Sequence, residues 1–278
     1  MEIFKIELKR AFNNKKFWIA IGIGFLLSIY NFYSNFGLNE FYEFGVEYQK
    51  YTLEAPNNLF VSNIISSPLE LPITLFLYSV VILGALPFAD SYVEDKVTGY
   101  SKNLLSRSNR RDYFVSKWVN VFITGFVVSM TIIIFNFMLN ITIMPLLHPF
   151  IEGAGNSYNQ ETSEFLKFLF VEHPVLHHFL FAILLSLYVG TFASFGLLTS
   201  AFSDNRFIAI LTPFLLTQAI SVIQNSLRIA NLYTPKDINT GNGQINLKFA
   251  ILEVVVLSII SFVVFTFGEN KRRLKLGV

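Results

Sequence analysis

Residues 90–118 read DSYVEDKVTGYSKNLLSRSNRRDYFVSKW, and this polar stretch separates two parts of the chain that are almost purely apolar. Residues 72–89 before it read PITLFLYSVVILGALPFA, and residues 119–139 after it read VNVFITGFVVSMTIIIFNFML. Apolar runs of about 20 residues are long enough to cross a bilayer core as helices. The charges of the central stretch are mixed and its apolar residues are spaced. We therefore interpret it as an ordered element between two membrane spans.

The composition is typical of an integral membrane protein. Of the 278 residues, 53% are hydrophobic and 14% are charged, whereas a soluble domain has about 25% charged residues. We predict an all-α fold in which residues 1–278 form a single transmembrane domain with six helical spans, because helices satisfy their own backbone polar groups in lipid. The predicted spans are 17–36, 71–90, 118–144, 178–201, 207–224 and 249–267. The absence of cysteine excludes disulfides and thiolate metal sites.

The distribution of basic residues predicts the orientation of the chain in the membrane. If the N-terminus is inside, 16 of the 21 Lys and Arg residues fall in inner segments. Such an excess is the positive-inside signal. We therefore expect a multi-pass protein of the cell membrane with both termini in the cytoplasm, and we expect the stretch 90–118 on the cytoplasmic side.

Residues 1–16, MEIFKIELKRAFNNKK, have the pattern of an amphipathic basic helix. A helix of this kind lies in the headgroup plane, so we predict an elbow helix that braces the first span. The simpler alternative is a charge signal for orientation alone. The 3.6-residue spacing of the apolar face favours the elbow helix. That face consists of Met1, Phe4, Leu8, Ala11 and Phe12.

Residues 91–105 have the spacing of a short amphipathic helix. We expect Ser91 and Glu94 to form a capping box at its start. Gly99 costs stability inside a helix, so we expect the close approach of another backbone at that position. One apolar stripe is predicted from the spacing of Val93, Val97, Tyr100 and Leu104.

The opposite face of this helix is charged, with Glu94 and Asp95 beside Thr98 and Lys102. A helix that only floats on an anionic leaflet is expected to be mostly basic. The mixed charge therefore favours a docking element for a soluble partner over a leaflet-bound helix. After a break at residues 106–109, Ser108 or Asn109 is predicted to cap the helix that enters the third span.

The stretch as a whole resembles the type-two ABC permease family, the six-span membrane subunits of ATP-driven exporters. The similarity lies in the acidic segment after the second span, Gly99, Leu104-Leu105, a serine-rich break, Arg110-Arg111 and Lys117. The short inner loop 203–206 and the six-span order are also similar. The resemblance implies that residues 91–105 are a coupling helix that docks on a separate ATPase.

The resemblance also implies the partners and the docking residues. They are two copies of a soluble ABC ATPase and a second permease subunit, in a homo- or heterodimer, within membrane lipid and without nucleic acid. No GxxxxGK[ST] motif occurs, so ATP and Mg are expected on the partner ATPase, and no cofactor or catalytic site is expected on this chain. The expected docking residues are Glu94, Asp95, Gly99, Tyr100 and Leu104, with Arg110 and Arg111 at a hinge.

Polar residues also occur inside the predicted spans. Each is a candidate either for hydrogen bonds between helices or for a translocation path or dimer seam. Glu253 is the only carboxylate well within a span. We expect its side chain to extend toward the outer interface, with a substrate or helix contact as the alternative. The other candidates are Asn136, Asn140, Gln218, Ser221 and Asn225.

The outer segment EHPVLHH contains His173 and His177 at i, i+4 spacing, which two metal ligands on a helix can have. No nearby carboxylate completes a recognised motif. We therefore expect these histidines to be interfacial ring donors, with Pro174 at the first helical position.

Together these observations predict a permease subunit of an ABC exporter, which is not itself an enzyme. Its cargo would be lipophilic or amphipathic, such as a peptide, a bacteriocin or a drug. Two alternatives remain at this point: a membrane-embedded enzyme acting on lipid or peptide, and a non-transporting scaffold or sensor.

Overall fold

The computed structural model describes residues 2–39, 59–60, 63–65, 71–105, 109–142, 164–229, 231–239 and 245–276. Within these ranges every regular element is a helix, which agrees with the predicted all-α class. The large outer segments 37–70 and 145–177 lie mostly outside the described residues. The helices are α1 Glu2–Phe12, α2 Lys15–Asn39, α3 Leu71–Ala85, α4 Ser91–Val97, α5 Tyr100–Leu105, α6 Arg110–Asn140, α7 Glu164–Glu172, α8 Pro174–Phe202, α9 Arg206–Leu227 and α10 Leu247–Leu276.

Five of these helices, α2, α6, α8, α9 and α10, are long and apolar enough to cross a membrane. The predicted second span, 71–90, is helical only over the 15 residues of α3 and then turns. A helix of that length rises about 22 Å, which is less than the ~30 Å hydrocarbon core. The described structure therefore has five candidate spans and one shorter apolar helix.

Helix α8 occupies the centre of the bundle and contacts α3, α6, α9 and α10. In the most apolar 18-residue stretch of α8, 78% of the residues are buried inside the bundle. The value is 22% for the corresponding stretches of α9 and of α10. The remaining faces of α9 and α10 are covered with exposed large apolar side chains. This arrangement is typical of a bundle whose outer helices face lipid.

Glycine allows a close crossing of two helices near the centre of the bundle. A Cβ on Gly190 of α8 would lie 2.7 Å from the carbonyl oxygen of Phe122, and one on Gly125 would lie 3.1 Å from the Cα of Gly190. Small residues let helix backbones approach closely in membranes. The central helix α8 is therefore packed directly against α6.

The predicted helix 91–105 is two short helices, α4 and α5, with a break at Gly99. Gly99 has φ +72°, and among the described residues no atom beyond its two chain neighbours lies within 4 Å of the position that a Cβ would occupy. The expected close approach of another backbone is therefore wrong. Glycine is favoured here because it adopts a left-handed backbone conformation at low cost, and this conformation ends α4.

The predicted details at the two ends of α4 were also wrong. Asp90, rather than Ser91, occupies the N-cap position, and no side chain caps the helix. The apolar stripe is split, because Val93 is fully buried whereas Val97 is 68% exposed. The start of α6 was predicted correctly, because Asn109 caps this helix. The side chain of Asn109 accepts a hydrogen bond from the backbone N–H of Arg111 at 3.2 Å.

Candidate functional site

Four charged side chains meet at the end of the bundle that we predict to be cytoplasmic, and we call them the inner charge cluster. They come from α1, α4 and α6, and three of them are completely buried while Arg10 keeps about a third of its side chain exposed. The members are Glu7, Arg10, Asp95 and Lys117. Because they belong to three separate helices, their contacts join the amino-terminal helix, the short helix α4 and the long helix α6.

Asp95 is the central acceptor of the inner charge cluster. Its Oδ1 lies 2.8 Å from Nη2 of Arg10, and its Oδ2 lies 2.6 Å from Nζ of Lys117. The hydroxyl of Tyr113 also donates a hydrogen bond to Oδ2, at 2.7 Å. Asp95 was predicted on an exposed charged face, and that interpretation was wrong. Its carboxylate faces inward and holds α4 against α1 and α6.

Glu7 completes the cluster from the elbow helix. Its Oε1 lies 2.9 Å from Nη1 of Arg10, and its Oε2 lies 2.7 Å from Nζ of Lys117. Two carboxylates and two cations therefore alternate around a closed set of four ion pairs. Removing one partner from such a buried set leaves an uncompensated charge, which is strongly destabilising.

The electrostatic surroundings shift the pKa of Asp95. Burial raises this pKa, but the charge of Lys117 and the hydrogen bonds from Arg10, Lys117 and Tyr113 lower it by more, so it lies below the usual value of 3.8. The carboxyl group is therefore ionised at neutral pH. The ionised form is the one that attracts the two cations.

A second set of contacts joins α4 to the turn between α8 and α9. Nζ of Lys96 lies 2.9 Å from Oδ1 of Asp204 and also contacts the carbonyl oxygen of Ser200. Nη1 of Arg206 is 3.9 Å from Oε1 of Glu94. The inner loop 203–206 therefore lies against α4, and α4 is held by charged contacts on both sides.

The docking residues predicted on α4, α5 and the start of α6 differ in exposure. Glu94, Gly99, Tyr100 and Leu104 are half-buried, and the guanidinium of Arg10 lies 4.4 Å from the ring centre of Tyr100. Arg110 and Arg111 are exposed at the first turn of α6, but the side chain of Lys102 is outside the described residues. Val97, the last residue of α4, is exposed, although we predicted it as part of the apolar stripe.

Asn136 and Asn140, two candidates for a translocation path, lie in a buried network that we call the outer amide network. Nδ2 of Asn136 donates to Oδ1 of Asn31 on α2 at 2.9 Å, and Nδ2 of Asn140 donates to Oδ1 of Asn136 at 3.0 Å. The backbone N–H of Ile64 donates to Oδ1 of Asn136 at 3.0 Å. Both residues therefore make buried hydrogen bonds between elements, which is one of the two predicted alternatives.

Glu253 contacts a neighbouring helix and a loop, which was the less favoured alternative. Its Oε2 accepts hydrogen bonds from the hydroxyl of Tyr188 on α8 at 2.9 Å and from the backbone N–H of Tyr233 at 3.0 Å. These contacts agree with the alternative of a helix contact, and extension toward the outer interface stays a prediction. This carboxylate joins α10 to the centre of the bundle and to the segment 231–239.

The polar residues of α9 occupy different surroundings. Gln218 is half-buried. Ser221 is buried, and its hydroxyl is 3.4 Å from that of Thr234. Asn225 is exposed and donates to the carbonyl oxygen of Ser221 at 2.8 Å. Ser221 and Glu253 therefore contact adjacent residues, Thr234 and Tyr233, of the segment 231–239.

The histidines of the outer segment lie among aromatic rings. His173 is exposed and precedes Pro174, which begins α8 as predicted, whereas His177 is buried. The ring of His177 lies 5.2 Å from that of Phe170 and 4.6 Å from that of Phe181, between centres. In the ranges that the structure describes, no three His, Asp or Glu side chains form a group that could hold a metal ion.

Sequence reasoning missed Glu7 and Arg10 as site residues and used Lys117 only as part of a resemblance. A signal for Lys117 was present, because a lysine only two residues before the apolar run 119–139 needs a partner when it is buried. Glu7 and Arg10 also have the i, i+3 spacing of an ion pair.

Comparisons with family models, curated proteins and solved structures found no match for the chain. The proposed function is therefore based on the site itself.

Proposed function

We propose that the chain is the permease subunit of an ABC exporter and that residues 91–105 transmit force from a separate ATPase. One observation supports this most directly. The short helix α4 is joined through the buried carboxylate of Asp95 to Lys117 on α6. Helix α6 has 31 residues, a length of about 46 Å at 1.5 Å per residue. A displacement of α4 would therefore reach the outer side through one continuous helix.

The inner charge cluster would make this transmission rigid. A buried ion pair loses much of its attraction when its geometry changes, so α4 cannot move away from Lys117 without also moving Arg10 or breaking the set. Coupling requires different contacts in two states of the protein. In this proposal, ATP-driven closure of the partner ATPases supplies the second state, in which α1, α4 and α6 shift together.

The remaining parts of the proposal follow the predicted layout. Helix α3 and the turn after it, residues 71–90, would form the second of the six spans, and residues 1–16 would form the elbow helix. Both termini would lie in the cytoplasm. Two such subunits, in a homo- or heterodimer, would enclose a path for a lipophilic or amphipathic cargo, with ATP and Mg bound by the two ATPase subunits.

The proposed docking surface contains the exposed or half-exposed residues near the tip of α4. Val97 is exposed, Glu94 is half-buried, and Arg110 and Arg111 are exposed nearby in the chain. Asp95 is not part of this surface, because its buried carboxylate contacts Arg10 and Lys117. Tyr100 and Leu104 would support this surface from α5.

The test is a site-specific crosslink from the tip of α4. We expect a photo-reactive amino acid in place of Val97, which is 68% exposed, to crosslink to a protein with a P-loop ATPase motif in native membranes. The matched control is the same replacement at Val222 on α9, which is 64% exposed. A crosslink to such an ATPase from neither position, or from both equally, would contradict the proposed docking surface.

A further inference from the structure

A pocket with several charged lining residues opens beside the inner charge cluster, where α1 ends and α2 begins. Its volume is about 540 Å³, and its walls come from α1, the first turn of α2 and the region around α4. Three cationic side chains line it, Lys9, Arg10 and Lys16, and Glu94 is the one carboxylate among its lining residues. The pocket is therefore suited to an anion of moderate size.

Two of these cations are fixed in place by carboxylates that lie beneath them. Arg10 is held by Asp95, and Lys16 is held by Asp90; both carboxylate side chains are at most 2% exposed. The side chains of Arg10 and Lys16 keep 33% and 31% of their surface exposed. A ligand that enters the pocket therefore meets the cations, while these carboxylates remain underneath.

Both fixed cations retain unused hydrogen-bond donors. A guanidinium has five N–H donors and an ammonium group has three. Among the described residues, Arg10 uses two of its donors in contacts with Glu7 and Asp95, and Lys16 uses one in its contact with Asp90. Such positioned donors, together with the planar guanidinium, suit the oxygens of a phosphate. Lys9 adds an exposed positive charge at the rim, and Asn13 adds an exposed amide.

The carboxylate of Glu94 weakens this positive field only in part. It lies 3.9 Å from the guanidinium of Arg206, which offsets its charge. One further lysine, Lys15, is exposed nearby in the chain. The mouth of the pocket therefore has an excess of positive charge.

The pocket lies at the end of a helix that presents an apolar surface. Trp18 and Ile19, in the first turns of α2 just after Lys16, are 64% and 54% exposed. Trp is typical of the membrane interface. The same element therefore offers a phosphate-binding end and, directly below it, an apolar surface for hydrocarbon.

We propose that this pocket binds the phosphate-bearing headgroup of an anionic phospholipid, whose acyl chains lie along the exposed face of α2. The headgroup phosphate contacts Arg10, Lys16 and Lys9. The lipid thereby stabilises the junction of α1 and α2 next to the inner charge cluster. This binding requires only that α2 spans the membrane, and it does not depend on any ATPase.

The test compares two lysines on the same helix. The full-length protein in neutral detergent is titrated with phosphatidylglycerol or phosphatidylcholine, and bound lipid is counted by native mass spectrometry. Lys9→Gln should weaken phosphatidylglycerol binding about fivefold, since a basic residue near an anionic surface contributes about 1 kcal/mol. Lys5→Gln, the matched control outside the pocket lining, should leave it nearly unchanged.

A second variant tests the pocket by adding charge. Asn13 is exposed in the turn after α1, so Asn13→Asp should fold normally and weaken phosphatidylglycerol binding at least as much as Lys9→Gln. Equal losses in Lys5→Gln and Lys9→Gln would show diffuse attraction and overturn the pocket. Equal binding of the two lipids to the wild-type protein would overturn it too. Displacement of the lipid by millimolar inorganic phosphate would assign the site to free phosphate instead.

Discussion

The two ends of α6 are held by opposite kinds of chemistry. At the inner end Lys117 lies in a set of four buried ion pairs, whereas at the outer end Asn136 lies in a network of neutral amides. The two positions are 19 residues apart, about 28 Å along the helix. Neutral amides form local contacts that each contribute modestly. Buried charges depend on every partner, so the inner end responds strongly to any change in one of them.

This difference suits the proposed function of each end. A joint that transmits displacement between α1, α4 and α6 must keep these helices together while they move. The inner charge cluster does so through contacts whose strength depends on all four partners. The outer amide network fixes α2 and the segment 63–65 on α6 without charge, which avoids the larger cost of burying ions in the apolar bundle.

The largest expected effect is at Lys117. Lys117→Met leaves Glu7 and Asp95 with less positive charge, so we expect a loss of about 3–5 kcal/mol in the free energy of unfolding. Chemical or thermal unfolding in detergent measures it. Lys248→Met, at an exposed position at the start of α10, is the control and should change stability by less than about 0.5 kcal/mol.

The double variant Glu7→Gln/Lys117→Met sharpens this prediction. It removes one charge of each sign, so it should recover part of the stability that Lys117→Met loses, because residues of one network are not additive. If the stability losses of Glu7→Gln and Lys117→Met simply add in the double variant, the four side chains do not act as one set.

Asp95→Asn should have the next largest effect, about 2–3 kcal/mol at pH 7. The amide can still accept hydrogen bonds from Arg10 and Tyr113, but it no longer offers a charge. The pKa of Asp95 in the folded protein is lowered from 3.8. Its ionised form therefore contributes stability above about pH 4, and this contribution is lost as the pH falls through the folded-state pKa.

Unfolding curves between pH 7 and pH 3 test the sign of this dependence. The gap between wild type and Asp95→Asn should be constant near neutral pH and should narrow below about pH 4. A gap that widens as the pH falls would mean that folding raises the pKa of Asp95 instead of lowering it.

At the outer end, Asn136→Leu should cost about 1–2 kcal/mol, because it leaves Asn31 and the N–H of Ile64 without this partner. The control Asn225→Leu, at an exposed position on α9, should have a smaller effect on unfolding. If Asn136→Leu is as damaging as Lys117→Met, the contrast between the two ends of α6 is wrong.

The smallest effect is expected for Glu253→Gln, less than about 1 kcal/mol. The glutamine oxygen can accept the same hydrogen bonds from Tyr188 and the backbone of Tyr233. Transport of a cargo should persist in this variant. Abolished turnover of a lipid or peptide substrate, with unchanged unfolding, would instead favour a membrane-embedded enzyme.

The apolar spans could be predicted from the sequence because local composition determines them. The five long helices agree with their predicted spans apart from their ends, and Asn109 caps α6 as expected. The second span was predicted too long, because apolar residues continue through the turn 86–90, which is not helical. Local hydrophobicity does not show where a backbone leaves the helix.

The inner charge cluster could not be predicted in the same way. Arg10 and Asp95 are separated by 85 positions in the sequence, so their contact depends on how α1 packs against α4. The charge of Asp95 indicated an exposed face, and only its partners reveal why it is buried. Gly99 was likewise recognised as unusual, but its positive φ belongs to the break between α4 and α5 and does not reflect a close neighbour.

The most direct test of the account is the side of the membrane on which the tip of α4 lies. The chain has no cysteine, so Val97→Cys introduces a single thiol at an exposed position. An impermeant maleimide should label it only in inverted vesicles or permeabilised cells, and Asn246→Cys, exposed before α10, should be labelled in intact cells. Labelling of Val97→Cys in intact cells would place the inner charge cluster on the outside and contradict its coupling to a cytoplasmic ATPase.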